Sequence, residues 1–100
     1  MQKLKISYEK NGLFLSQVRR TEKAALYSVR LNEHSPVCGY EVLIITIDKA
    51  EKAFGKDYPE REHYPSNEEF GALGWTWNKL ESAEKHFNEL VQAENERGTI

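Results

Sequence analysis

Residues 40–47, YEVLIITI, decide the fold of this chain. Five of the eight are β-branched and apolar positions fall on both faces, the pattern of a strand covered on both sides. The stretch therefore reads as the central strand of a sheet, and the neighbouring segments must supply what covers it.

Upstream, NEHSPVCG is a Pro/Gly connection, and before it ALYSVRL alternates. Ala25, Tyr27, Val29 and Leu31 share one face, with Ser28 and Arg30 on the other. A helix over 17–27 competes, since the alanines and charges there suit one, but the alternation favours a strand. RRTEKAA is the polar break before it. LKISYEKNGLFLSQV reads as a hairpin, because Asn11 and Gly12 both tolerate positive φ and Leu4, Ile6 and Tyr8 alternate with Lys5 and Ser7. Phe14 and Val18 fall on one side of the return strand.

Downstream, DKAEKAFG has two readings: a short helix boxed by Asp48 and Glu51 and stopped at Gly55, or a long loop. Tyr58-Pro59 and Tyr64-Pro65 force extended backbone at each tyrosine, leaving room for a short edge strand around 60–64. Ser66 and Glu69 form a capping box for a short helical turn that aims Phe70 inward, and Gly71 and Gly74 end it. Trp75 and Trp77 share one side of an extended WTW and either pack under the last helix, whose cap is Asn78 with Glu81 three residues on, or leave one ring exposed as a binding anchor. Leu80, Ala83, Phe87, Leu90 and Val91 recur at helical spacing, and Gly98 is a stop.

The expected fold is α+β: residues 1–100 form a single domain, a small antiparallel sheet of three to five strands with a C-terminal amphipathic helix packed on one face. The expected core is Leu4, Ile6, Phe14, Tyr27, Val29, Val42, Ile44, Ile45, Phe70, Trp75, Leu80, Ala83, Phe87, Leu90 and Val91. Apolar residues make up 39% and charged residues 30%, so the chain is polar for a domain yet apolar enough to fold. No apolar run reaches ~18 residues and no signal-peptide pattern opens the chain, so no membrane partner is expected. The one cysteine, Cys38, allows no internal disulfide, which fits a cytoplasmic setting.

Charge is uneven. Residues 1–31 hold seven lysines and arginines against two acids; residues 32–100 hold seven against fourteen. Either the halves neutralise each other on folding, or an acidic face docks on something basic. Chemistry-bearing motifs are sparse. His34, His63 and His86 are scattered and read as surface histidines, and one cysteine with three such histidines does not make a zinc set. There is no nucleophile elbow, no phosphate loop and no Glu-x-Lys. No cofactor is expected. Glu60, Glu62, Glu68 and Glu69 read as a solvated acidic face. With Tyr58 and Tyr64 they form an aromatic, acid-rimmed candidate for protein binding. Arg19, Arg20, Lys23 and Arg30 form the alternative, a basic stripe for nucleic acid. A third reading is a small enzyme working through Cys38 or a carboxylate. The helix face of Glu81, Glu84 and Asn88 could imitate a phosphate backbone, although Lys85 can pair with Glu81. No residue pattern specifies an oligomeric state, but a sheet this small has an edge through which two copies could pair.

GYEV followed by FGK, then YPSNEEFGALGWTW and a helix of the form L-x-x-A-x-x-x-F-x-x-L, resembles short uncharacterised proteins of bacteriophages and mobile elements. The likeness covers about half the chain, and its motifs are structural. It implies a bacterial or phage origin, and by analogy with small phage proteins an inhibitor that binds host machinery, for instance a bacterial defence protein.

Overall fold

Asn11 and Gly12, at φ 54° and 76°, turn strand β1 (Ser7–Lys10) back into β2 (Leu13–Arg20). In the computed structural model, which describes residues 1–98, β2 is followed by β3 (Ala24–Arg30) and β4 (Val37–Ile44). Three short pieces come next, β5 (Thr46–Asp48), a hairpin of β6 (Glu51–Ala53) and β7 (Lys56–Tyr58), and β8 (Arg61–His63). A 3-10 turn (Asn67–Glu69), β9 (Gly74–Trp77) and helix α1 (Leu80–Gly98) complete the chain. Five strands form one antiparallel sheet in the order β1-β2-β3-β4-β9; β5 pairs with β8 and β6 with β7 in two small ladders. The α+β class and the C-terminal helix on the sheet are as expected. No helix among the described residues is long and apolar enough to cross a membrane.

The middle strand is β3, not 40–47. Ala24 to Val29 are all buried, because α1 covers one face of the sheet and the chain's own N-terminus, Ile45 and Tyr64 cover the other. The face under α1 holds Ala24, Leu26 and Val42 against Ala83 and Phe87, flanked by Tyr40, Trp77, Leu90 and Val91. The opposite face holds Leu15, Ala25, Tyr27, Val29 and Leu43 under Leu4 and Ile45, with Tyr8, Leu13 and Tyr64 beside them. The 40–47 run is split. Ile44 still pairs with Ala24, but β3 begins there, so beyond it the strand has no ladder partner. The strand is interrupted at Ile45, and Thr46–Asp48 joins β8 instead.

The expected core is partly corrected. Ile6 is exposed because it lies at a bend before β1, where strand alternation does not yet hold. Leu80 is exposed because it stands in the first turn of α1, ahead of the stripe that meets the sheet. Phe14, Ile44, Phe70 and Trp75 are half-buried. On β2 the buried residue is Leu15, one position from the expected face, and Val18 is exposed. Residues 48–55 hold no helix: Asp48 ends β5, residues 49–50 connect, and Glu51–Ala53 with the Phe54-Gly55 turn start the β6–β7 hairpin. Asn78 stands one residue outside the cap: the Ala83 N–H donates to the Lys79 carbonyl, so Lys79 opens α1.

Val18 has a positional meaning. Gln17 pairs with Tyr27 and Arg19 with Leu26, so Val18 is the extra residue of a β-bulge. One extra residue reverses the side-chain parity of the remainder of the strand. Arg19 thus lies on the α1 face, 3.7 Å from Glu84, while Arg20 points to the opposite face. A second bulge, at Cys38, separates the Val29–Gly39 and Arg30–Val37 pairs.

These faces make a simple forecast. Leu26→Ala, at a side chain buried under α1, should cost about 2–5 kcal/mol, whereas Ile6→Ala and Leu80→Ala should each stay within about 0.5 kcal/mol. Urea titrations of the three variants test it, and equal losses would contradict the two-faced core.

Candidate protein-binding surface

The six residues expected to form an aromatic, acid-rimmed patch separate into two groups. Tyr58 and Glu68 face solvent, and Glu60 is half-exposed. Glu62 and Tyr64 are instead used inside the fold, and Glu69 is tied to His63 and Ser66 near its surface. A solvated acidic face over 60–69 is therefore not what forms.

Glu62 is the best enclosed carboxylate of the four, its side chain 1% exposed. Arg20, delivered to this face by the Val18 bulge, donates two hydrogen bonds to it, at 2.6 and 2.8 Å. The Leu4 N–H adds a third at 2.8 Å, and the Lys3 ammonium stands 3.7 Å away. The Arg20 bonds outweigh the cost of burial and hold the Glu62 carboxyl down at about 2. Backbone bonds from Gln2 to Glu60 and from Glu62 to Gln2 fasten the same segment. The N-terminus, β2 and β8 meet at this one carboxylate.

His63 is no free surface histidine. Its Nδ1 lies 3.0 Å from Asp48 Oδ2 and its Nε2 2.6 Å from Glu69 Oε1. Glu69 also accepts the Ser66 N–H at 2.8 Å, which completes the expected link across the 3-10 turn. Between two carboxylates the imidazolium is favoured, so the His63 pKa is raised, chiefly by the Glu69 bond. Nor is His86 a surface group: it packs on Trp75 and Trp77 at 4.6 and 5.5 Å between ring centroids, and accepts the Trp77 indole N–H at 3.0 Å. Burial lowers its pKa and keeps it the neutral acceptor this bond needs. Both tryptophans are thus half-buried against α1, which decides between the two readings of WTW in favour of packing under the helix.

Tyr8, Tyr27 and Tyr64 form a ring cluster, with centroids 5.0–5.8 Å apart. The Tyr27 hydroxyl donates to the Lys5 carbonyl at 2.6 Å and accepts from Gln17. Burial pushes its pKa up to about 12. Tyr64 is raised further by burial and by the Glu41 carboxylate to which its hydroxyl donates.

The basic stripe does not assemble. Arg19 and Arg20 are on opposite faces of the sheet. Arg20 is committed to Glu62, and Arg30 sits at the far end of β3, donating to the Glu33 carbonyl. Lys23 is exposed in the β2–β3 turn. Cys38 is exposed at its bulge, its thiol 3.4 Å from the Val29 carbonyl, and His34 is exposed in the preceding loop.

The most solvent-facing aromatic lies outside the six. The β6–β7 hairpin turns on Phe54 and Gly55, at φ 54° and 76°. These are the same angles as at Asn11-Gly12, a two-residue turn that favours asparagine first. Here phenylalanine holds that position, and the residue is 99% exposed. At the hairpin's base, Tyr58 lines a groove of about 500 Å³ with Pro59, Asp48, Glu51 and Arg61. The one signal for this hairpin in the sequence is Phe-Gly between two short charged runs, which a helix box at Asp48 masks.

Comparison of the chain with protein-family models, with curated proteins and with solved structures finds no match.

The buried network sets two expected outcomes. Arg20→Met strands the Glu62 carboxylate and should cost about 3–5 kcal/mol; Glu62→Gln leaves only a part-exposed guanidinium and should cost less. Because the folded carboxyl sits below its ordinary 4.5, its contribution is full above that value and fades as pH falls toward about 2. The melting-temperature gap between wild type and Glu62→Gln should therefore narrow as pH falls from 4.5 toward about 2, the window set by those two values. His63 behaves with opposite sign. Its folded pKa is above 6.5, so its stabilisation is complete below that pH and is lost as pH rises through the raised value. Wild type and His63→Gln should differ most in melting temperature at mildly acidic pH and converge in alkali. A gap that does not change with pH would remove the imidazolium from the account.

Proposed function

We propose that the chain is a non-enzymatic protein-binding module that engages its partner through the β6–β7 hairpin. One observation carries the reading: Phe54 combines a left-handed backbone with a fully exposed aromatic ring. For a non-glycine residue that backbone costs roughly 1–2 kcal/mol, and an exposed phenylalanine forgoes the gain of burial. Neither feature helps the isolated chain. Both are accounted for if the ring is buried in a partner, since aromatic anchors dominate protein interfaces. Tyr58 and the groove beside it extend the contact, with Glu60 and Glu68 as candidate acidic rim.

The likeness to short phage and mobile-element proteins supports the narrower form, an inhibitor that occludes the surface of a bacterial, for instance defence-related, protein. The dispersal of Arg19, Arg20, Lys23 and Arg30 favours a protein over a nucleic acid as partner.

The turn itself supplies the test. Phe54→Asn installs the residue that the turn prefers, so it should keep or raise the melting temperature while abolishing partner capture. Tagged wild type and variant are passed over bacterial lysate with and without nuclease. A stoichiometric band that survives nuclease and is lost with Phe54→Asn is the expected result; equal capture by both, or capture that vanishes with nuclease, rejects the hairpin reading. Glu68→Lys probes the rim without touching the fold, whereas Glu69→Lys also breaks the His63 contact and should lower stability.

A further inference from the structure

Glu41, on β4, is 9% exposed and lies on the sheet face away from α1, beside Tyr27 and Thr76 in the ladder. A buried carboxylate is costly unless it is paired. Glu62 meets that demand with Arg20. Glu41 does not: among the described residues its hydrogen-bond partner is the Tyr64 hydroxyl, and no lysine, arginine or histidine forms an ion pair with it. It lines a pocket of about 200 Å³, whose base is Glu41 and the buried Leu15. Leu13 and Phe70 form walls, and the exposed Asn11 and Asn67, hydrogen-bonded to each other at 3.3 Å, form the rim.

The surroundings already suit an ammonium group. Lys10, at the same pocket, places its Nζ 4.7 Å from the centroid of the Tyr64 ring and 5.0 Å from that of Phe70, donating to the Pro65 carbonyl at 3.2 Å. Such ring-face contacts are favourable to cations. Lys10 thus satisfies its own charge at the wall and leaves the carboxylate at the base open.

We infer that this pocket binds a primary alkylammonium group, the end of a lysine side chain presented by a protein partner. The apolar walls take the methylene stem, Glu41 takes the charge, and Tyr64 fixes the carboxylate from behind. A volume of about 200 Å³ suits one side chain and is below the usual size of a small-molecule site. Only the assignment to a lysine side chain rests on the protein-binding reading, and the pocket shares no residue with the β6–β7 hairpin. Each reading can therefore fail without the other.

The test uses n-butylammonium and its neutral counterpart n-butanol, titrated into the isotope-labelled full chain and followed by amide chemical shifts. Saturable shifts at Leu13, Leu15, Glu41 and Thr76 are expected with butylammonium, with butanol about tenfold weaker. Glu41→Gln, which still accepts from Tyr64, should weaken butylammonium by a similar factor, and Lys10→Gln, which removes a like charge, should tighten it. Equal response to both probes, or no response in either wild type or Lys10→Gln, overturns the proposal; this comparison stands even where Glu41→Gln fails to fold. A short peptide, acetyl-Gly-Lys-Gly-amide, should shift the same amides. Binding of butylammonium with exclusion of the peptide would overturn the lysine assignment.

Discussion

The bidentate pair between Arg20 and Glu62 is the interaction on which the rest of this structure depends. It fastens the C-terminal end of β2 to β8, and through the Leu4 N–H it also fixes the N-terminal segment. Without that segment and β8, Leu4, Ile45 and Tyr64 would have no reason to lie on the sheet, and Tyr27, Val29 and Leu43 would face water. Replacing such a pair with apolar residues of equal volume is often neutral or better for stability. What it supplies is register: one carboxylate accepts from two segments far apart in sequence, and only one docking of the N-terminus lets both reach it.

That geometry depends on the single extra residue at Val18. Without the bulge, strand parity would put Arg20 on the α1 face and Arg19 on the other. Arg19 is mostly exposed beside Glu84, where a surface pair contributes little. The bulge thus assigns one arginine to the interior and the other to the surface, although the two are adjacent and chemically identical.

Much of the fold is legible in the sequence. Asn11-Gly12, the alternation of 24–30, the Ser66–Glu69 link and the Ala83–Phe87–Leu90–Val91 stripe each rest on local chemistry, and local chemistry can be read from a few neighbouring residues. The misreadings are non-local. Alternation alone cannot reveal that β3 is covered on both faces, because Ala24 and Leu26 look like the outward half of an amphipathic strand until α1 is placed on them. The YEVLIITI run looks like one strand because its composition is uniform, yet it breaks where its neighbour β3 starts. Of the candidate site, Tyr58 and Glu68 stand in solvent as their sequence context implies. Glu62 and Tyr64 do not, since their partners Arg20 and Glu41 are 42 and 23 residues away in the chain.

Charge asymmetry between the halves has a physical resolution in these contacts. Arg20 with Glu62, Lys3 with Glu62 and Arg19 with Glu84 all join the basic first third to the acidic remainder. The two halves are therefore joined through two of the acids, Glu62 and Glu84, and part of the imbalance is neutralised internally. Two local departures from this self-sufficiency are more telling. Among the described residues every fully buried side-chain nitrogen and oxygen has a hydrogen-bond partner, the ordinary requirement of a folded interior. Against that background a phenylalanine in a left-handed turn, wholly in water, and a buried carboxylate with a phenol but no cation are anomalies of the same kind. If both sites take a partner, each local cost is offset on binding rather than on folding.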